Sequence, residues 1–142
     1  GPNDNYNSLT SHFYPALIKK VHQANLKKNN KIILWGNGKA KREIIYVDDV
    51  ADACIFFMKK KTKETLINIG SNTEKTISQY ANFIINKLKL KIKIEYDKSK
   101  PNGTPRKILN SSVAARYGWK SKISLDEGFS KTYESFKKII NE

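Results

Sequence analysis

Lys31-Ile32-Ile33-Leu34-Trp35-Gly36-Asn37-Gly38, running through Lys39-Ala40-Lys41 into Arg42-Glu43-Ile44-Ile45-Tyr46-Val47-Asp48-Asp49-Val50, is the stretch on which the fold turns. Its first five residues read as a strand, closed by a glycine turn. A strand followed by Gly-x-Gly invites a dinucleotide-binding reading, and two features oppose it. The third glycine position holds Lys41, and a second strand over 42–47 follows where a helix N-terminus would have to meet the pyrophosphate. Two strands around Gly36-Asn37-Gly38 predict a hairpin instead. Asp48 or Asp49 then caps a helix whose buried face carries Val50, Ala53, Cys54 and Phe57. On that face Cys54 is expected to be inert core. With Ile55, Phe56 and Met58 added, the helix 49–60 is apolar beyond one stripe and expects partners on more than one side. Lysines over 59–63 end it, in keeping with the negative end of the helix dipole.

Upstream, 1–11 is polar and loop-like, and Phe13, Leu17, Val21 and Ala24 recur at helical spacing. Pro15 is tolerated only in a first turn, so this helix begins near 11–15 and runs to about Lys28. Downstream, Leu66-Ile67-Asn68-Ile69 predicts a short strand closed by Gly70. Thr76-x-x-Gln79 is a capping box that opens a helix over Ile77, Ala81, Ile84 and Leu88. Ile92 and Ile94 alternate with lysines in a strand over 91–96. Pro101-Asn102-Gly103-Thr104-Pro105 is a loop. A short helix over 112–117 stops at Gly118, and Ser124-x-x-Glu127 opens a last helix through Phe129, Tyr133, Phe136 and Ile140. Helices and strands alternate, so the class is α/β with α+β character. No boundary is visible inside the chain, which reads as one domain over 1–142.

The composition narrows function by exclusion. With 142 residues and 39% hydrophobic content there is material for a modest core, so wholesale disorder is excluded. The longest apolar run, 54–58, is far short of the roughly 20 residues that a membrane helix needs. Cys54 is the only cysteine, which excludes an intrachain disulfide or a cysteine-rich zinc site. His12 and His22 form no metal-binding pattern, so no metal is expected. No signal-peptide pattern opens the chain, and the expected setting is reducing and cytoplasmic. The net charge of +14 raises a nucleic-acid or polyanion-binding module as a rival function. Against it, only Arg42, Arg106 and Arg116 are arginines among 27 basic residues, and the lysines are scattered. Nucleic acid is therefore not the expected partner.

Several stretches together carry a family resemblance. They are Gly1-Pro2-Asn3-Asp4-Asn5-Tyr6, Ser11-His12-Phe13-Tyr14-Pro15, Trp35-Gly36-Asn37-Gly38, the Arg42-Glu43-x-x-x-Val47-Asp48-Asp49 block, Lys100-Pro101-Asn102-Gly103-Thr104-Pro105-Arg106-Lys107 and Gly118-Trp119. The chain resembles, over its whole length, the GDP-L-fucose synthases, a group of extended short-chain dehydrogenase/reductases. The proline-flanked loop is the most particular of these motifs. The resemblance is to the C-terminal, substrate-binding part; the NADP loop, the catalytic Ser, the Tyr-x-x-x-Lys pair and the epimerisation Cys of the family have no counterpart here. The fold it implies is therefore that part without a complete Rossmann domain.

What the resemblance implies is specific. A C4 ketone acidifies the protons at C3 and C5 of a GDP-linked 4-keto-6-deoxy sugar, a Cys/His pair moves them, and NADPH reduces C4. His12 takes the place of that histidine, catalytic and beside the cofactor. Lys20 stands where the family usually has an arginine near the substrate phosphates, Trp35 where a tryptophan contacts substrate, and Arg42 where an arginine binds the diphosphate. Asn102 replaces a common Asp, and Lys107 matches a further basic residue. NADP would be held mainly by the N-terminal domain, the full-length enzyme would be a homodimer, and this chain alone would be inactive. A GDP-4-keto-sugar or heptose C4 reductase without epimerase activity is the alternative within the class.

Overall fold

The computed structural model describes residues 1–7 and 10–141. The elements follow in the order α1 (Phe13–Leu26), β1 (Lys31–Trp35), β2 (Lys41–Glu43), α2 (Val47–Met58), β3 (Glu74–Thr76), α3 (Ile77–Lys87), β4 (Lys93–Asp97), β5 (Arg106–Lys107), α4 (Ser112–Arg116) and α5 (Leu125–Asn141). This is the mixed α/β class that the alternating pattern predicts. The chain forms two compact units, one of residues 4–42 and 75–107, the other of 1–3, 43–74 and 108–142.

The first unit grows from β1. Its side chains alternate, with Ile32 and Leu34 buried and Lys31, Ile33 and Trp35 outward. α1 contributes Leu17, Ile18, Val21 and Ala24 to the core of this unit, and α3 contributes Tyr80, Ala81, Ile84 and Ile85. Pro15 lies in the first turn of α1, where its missing N–H costs no intrahelical bond. The predicted capping box is present at α3: the Thr76 hydroxyl accepts from the Gln79 amide, and the Gln79 side chain accepts from the Thr76 amide.

The predicted hairpin is not formed. β1 pairs parallel with β4, in the register Ile32↔Ile94 and Trp35↔Asp97. β2 lies in a separate sheet, parallel to β5 with Lys41↔Arg106 and Arg42↔Lys107, and with β3 on its other side. The glycine turn leads into β2 without pairing it to β1. β1 buries Ile32 and Leu34, Ile94 of β4 lies half-buried opposite Ile32, and a parallel pair needs the long crossover that the intervening chain supplies. β2 is also shorter than the strand expected over 42–47. The strand expected over 66–69 is absent, and β3 forms at Glu74–Thr76 instead.

In the second unit Ala53, Ala114 and Trp119 are buried, with Ile45, Phe56, Phe57, Ile67 and Ile69 packed on them. Neither Asp48 nor Asp49 caps α2, whose N-cap is Tyr46 without a side-chain bond. Asp49 is buried instead, and its two carboxylate oxygens accept the backbone amides of Lys122 (3.1 Å) and Ile123 (3.0 Å). One turn on, Asp52 accepts from the Trp119 indole (3.0 Å) and the Lys122 ammonium; these bonds hold its carboxyl below the usual carboxylate range. Cys54 is exposed, not core as expected, because α2 turns Ala53, Phe56 and Phe57 inward. The same helix leaves Ile55 (55%) and Met58 (85%) open to solvent, as its wide apolar surface predicts. The Glu43 carboxylate accepts the amides of Asn72 (2.6 Å) and Leu109 (2.9 Å), which fixes the irregular chain before β3 and after β5 to the end of β2.

Asp49→Ala should destabilise this unit, because two shielded amides lose their acceptor at once. The expected loss is about 2–4 kcal/mol, read as a fall in the urea midpoint. A change within about 0.5 kcal/mol would show that water replaces the carboxylate.

Candidate functional site

His12, Lys20, Trp35, Arg42, Asn102 and Lys107 all lie in the unit of 4–42 and 75–107, with Lys107 as its last residue. β1 ends at Trp35, whose ring is 66% exposed. An indole this open is not explained by packing; Lys100 Nζ lies over it, 5.8 Å from the ring centroid. Lys100 is placed by a turn at the end of β4: Asp97 accepts from the Ser99 hydroxyl (2.6 Å) and amide (3.0 Å), which keeps its carboxyl below the usual range. The Lys100 amide closes that turn on the Asp97 carbonyl.

The turn after Trp35 is held at both ends. Gly36 and Gly38 have φ of +68° and +67°, a region that L side chains adopt at a cost of about 1–2 kcal/mol. The Gly36 amide donates to the Asp97 carbonyl (2.8 Å), and the Asn37 amide to Asn102 Oδ1 (2.7 Å). The Gly38 carbonyl accepts from the Ser78 hydroxyl and amide, both at 3.0 Å, and Ser78 Oγ lies 2.9 Å from the Tyr96 hydroxyl. A Cβ on either glycine would collide with these partners. Gly36, Asn37, Lys39, Tyr96, Lys98 and Asn102 line an open cleft of about 430 Å³ beside this turn.

Lys20 meets β1, whereas Arg42 and Lys107 lie in the second sheet, which the loop 102–104 joins to the turn after Trp35. The Lys20 ammonium on α1 donates to the Ile33 carbonyl (2.6 Å), two residues before Trp35, and burial lowers its pKa. Arg42 and Lys107 face each other in the β2–β5 register. Arg42 Nη1 donates to the carbonyls of Lys41 and Thr104, both at 2.7 Å, which orients the guanidinium against the proline-flanked loop. Beneath it the Tyr80 hydroxyl donates to the Arg42 carbonyl (3.1 Å). His12 is the N-cap of α1 and is exposed, and its imidazole makes no capping bond. α1 leads into β1 through a four-residue link, and Lys20 reaches β1 at Ile33.

The structure thus ties Trp35 to Asn102 through Asn37, and Arg42 to Lys107 through strand register. Asn37, Ser78, Tyr80 and Tyr96 shape the site and were not singled out in the sequence; their roles depend on contacts 18 to 65 residues away along the chain. The Gly36–Gly38 turn is filled by Asn102 and Ser78 and leads to a strand, and the first turn of α3 donates the Ser78 amide to the Gly38 carbonyl. Among the described residues no cluster of acidic, His or Cys side chains fits a metal ion, and no helix is long and apolar enough to cross a membrane.

Comparison with known proteins agrees with this architecture. Residues 1–70 match the NAD dependent epimerase/dehydratase family. The chain is 42% identical over 134 residues to a putative GDP-L-fucose synthase 2 of Arabidopsis thaliana, covering 94% of this chain and 41% of that protein. It superposes on a GDP-L-fucose synthetase from Naegleria fowleri with a TM-score of 0.87 at 24% identity, covering 99% of this chain and 44% of that one. It superposes on a GDP-mannoheptose C4 reductase from Campylobacter jejuni with NADP bound with a TM-score of 0.76 at 28% identity, covering 90% of this chain and 46% of that one. The chain spans less than half the length of these relatives. By sequence and by fold, the chain resembles the extended short-chain dehydrogenase/reductases and is similar to part of the GDP-L-fucose synthases.

Proposed function

We propose that this chain is the substrate-binding part of an NADP-dependent 3,5-epimerase/4-reductase acting on GDP-4-keto-6-deoxymannose in the cytoplasm. The observation that carries the reading is the grouping of cations with one open indole at parallel strand ends. Arg42 and Lys107 stand in register, and Lys20 lies against the strand that ends in Trp35. A nucleoside diphosphate carries two phosphates that need charge-assisted donors, and a ring on which a planar or sugar face can rest. The oriented guanidinium of Arg42 supplies the fork, and Lys20 and Lys107 supply point charges. Asn102 is placed at the sugar or base end.

His12 is assigned the acid role in epimerisation. Its imidazole sits at the open end of α1, and the acidic protons at C3 and C5 of a 4-keto sugar are the ones it would replace. The base, the hydride chemistry that NADP supplies and the homodimer contacts belong to the rest of the enzyme; His12 is the one side chain assigned to the cofactor's side. A C4 reductase without epimerisation is the second reading, supported by the likeness to the heptose C4 reductase.

Three outcomes test these assignments. The 142-residue chain alone should not oxidise NADPH in the presence of GDP-4-keto-6-deoxymannose; turnover by it would overturn the partition of roles. In the enzyme that contains this chain, His12→Gln should suppress solvent deuterium wash-in at C3 and C5 of the sugar by 10²-fold or more, the order expected for a lost general acid, as followed by NMR. Normal wash-in in the variant would remove His12 from the mechanism, and absence of wash-in in the unmodified enzyme would favour the reductase reading. Arg42→Ala should weaken GDP binding by about 1.5–3 kcal/mol in calorimetry. An unchanged dissociation constant would leave Arg42 a structural role at Thr104.

A further inference from the structure

The geometry points to Asn102 as a positioning residue for Trp35, acting through the turn 36–38. This rests on the reading of Trp35 as the residue that contacts the nucleotide sugar. Trp35 is 66% exposed, so neighbouring side chains do little to fix it. Its direction is set by the backbone on either side. On the β1 side that backbone is fixed by the ladder with β4. On the other side it enters a left-handed residue, Gly36, whose amide and that of Asn37 have one acceptor each: the Asp97 carbonyl and Asn102 Oδ1.

Asn102 lies directly against this turn. A Cβ on Gly36 would run into its Oδ1 and come within 2.9 Å of its Cα, so the two backbones are packed as closely as a glycine allows. The oxygen of Asn102 is therefore already engaged by a backbone amide at 2.7 Å. The far end of the turn is anchored separately, at Gly38, by Ser78 at the start of α3. At the near end the Asn102 side chain accepts from the Asn37 amide, and the Asn37 side chain accepts from the Lys39 amide. Lys100, two residues earlier, is held by the Asp97 turn with its ammonium 5.8 Å from the indole centroid. The Asn102 bond thus acts on the backbone that aims Trp35.

The requirement is for an acceptor at this position, not for an amide. Asp keeps the acceptor and Ala removes it, so the two variants separate positioning from direct contact through Nδ2. The test is acrylamide quenching of tryptophan fluorescence in this chain without ligand, followed by GDP titration. Trp119 is buried, so the quenchable signal belongs to Trp35, and Trp35→Phe verifies the assignment. Unchanged emission from Trp119 reports that each variant is folded.

Asn102→Ala should raise the quenching constant of Trp35 about twofold or more and weaken GDP binding roughly 3- to 10-fold, the span of one hydrogen bond. Asn102→Asp should leave both within twofold of the unmodified chain. Quenching in Asn102→Ala equal to that of the unmodified chain would overturn the proposal. So would quenching in Asn102→Asp as high as in Asn102→Ala. If the unmodified chain does not bind GDP, the functional reading of Trp35 falls while the quenching comparison alone still decides the positioning role.

Discussion

The parallel pairing of β1 with β4 is the constraint on which the site depends. It brings two strand carboxyl ends side by side, Trp35 opposite Asp97, so the segments that leave them meet at one edge. β2 and β5 repeat the arrangement with Arg42 and Lys107. In open α/β sheets ligands bind outside the carboxyl ends of strands, because loops from non-adjacent elements converge there. Here the convergence is concrete: Asn102 accepts from Asn37, Thr104 accepts from Arg42, and Ser78 holds Gly38. Each of these bonds joins segments far apart in the chain, and each has a backbone group on one side. The exposed groups that remain, the Trp35 ring and the lysines around it, are placed by a frame that they do not themselves build.

Local chemistry was legible wherever a short-range bond decides the structure. The Thr76–Gln79 box, Pro15 in a first turn, the stop at Gly118 with φ of +93° and the Ser124 hydroxyl that accepts from Glu127 follow from residues a few positions apart. Pairing was not legible. Gly36-Asn37-Gly38 has hairpin chemistry, yet β1 pairs in parallel with β4, far along the chain. Asp49 shows the same limit: a carboxylate at a helix start reads as a cap, and only the path of the chain at 122–123 turns it inward. Cys54 was misplaced because α2 is apolar on several sides, so its sequence does not say which side faces the core.

The site residues were reached through family resemblance rather than through spacing. Arg42, Trp35 and Lys107 are unremarkable in a chain with 27 basic residues; what selects them is the motif around each. The structure adds what the motifs lack. It engages one guanidinium nitrogen of Arg42 with two carbonyls, commits one donor of Lys20 to Ile33, and turns the oxygen of Asn102 toward backbone. It also shows the Gly36–Gly38 turn to be filled by Asn102 and Ser78.

The central claim is that this chain carries the nucleotide-diphosphate site of the enzyme. The most direct measurement is a GDP titration of the ¹⁵N-labelled chain, followed by amide and indole NMR shifts. The account predicts saturable changes at the Trp35 indole and in the amides of 36–42 and 102–107, with the Trp119 indole unmoved. Shifts confined to other residues, or none at millimolar GDP, would contradict it.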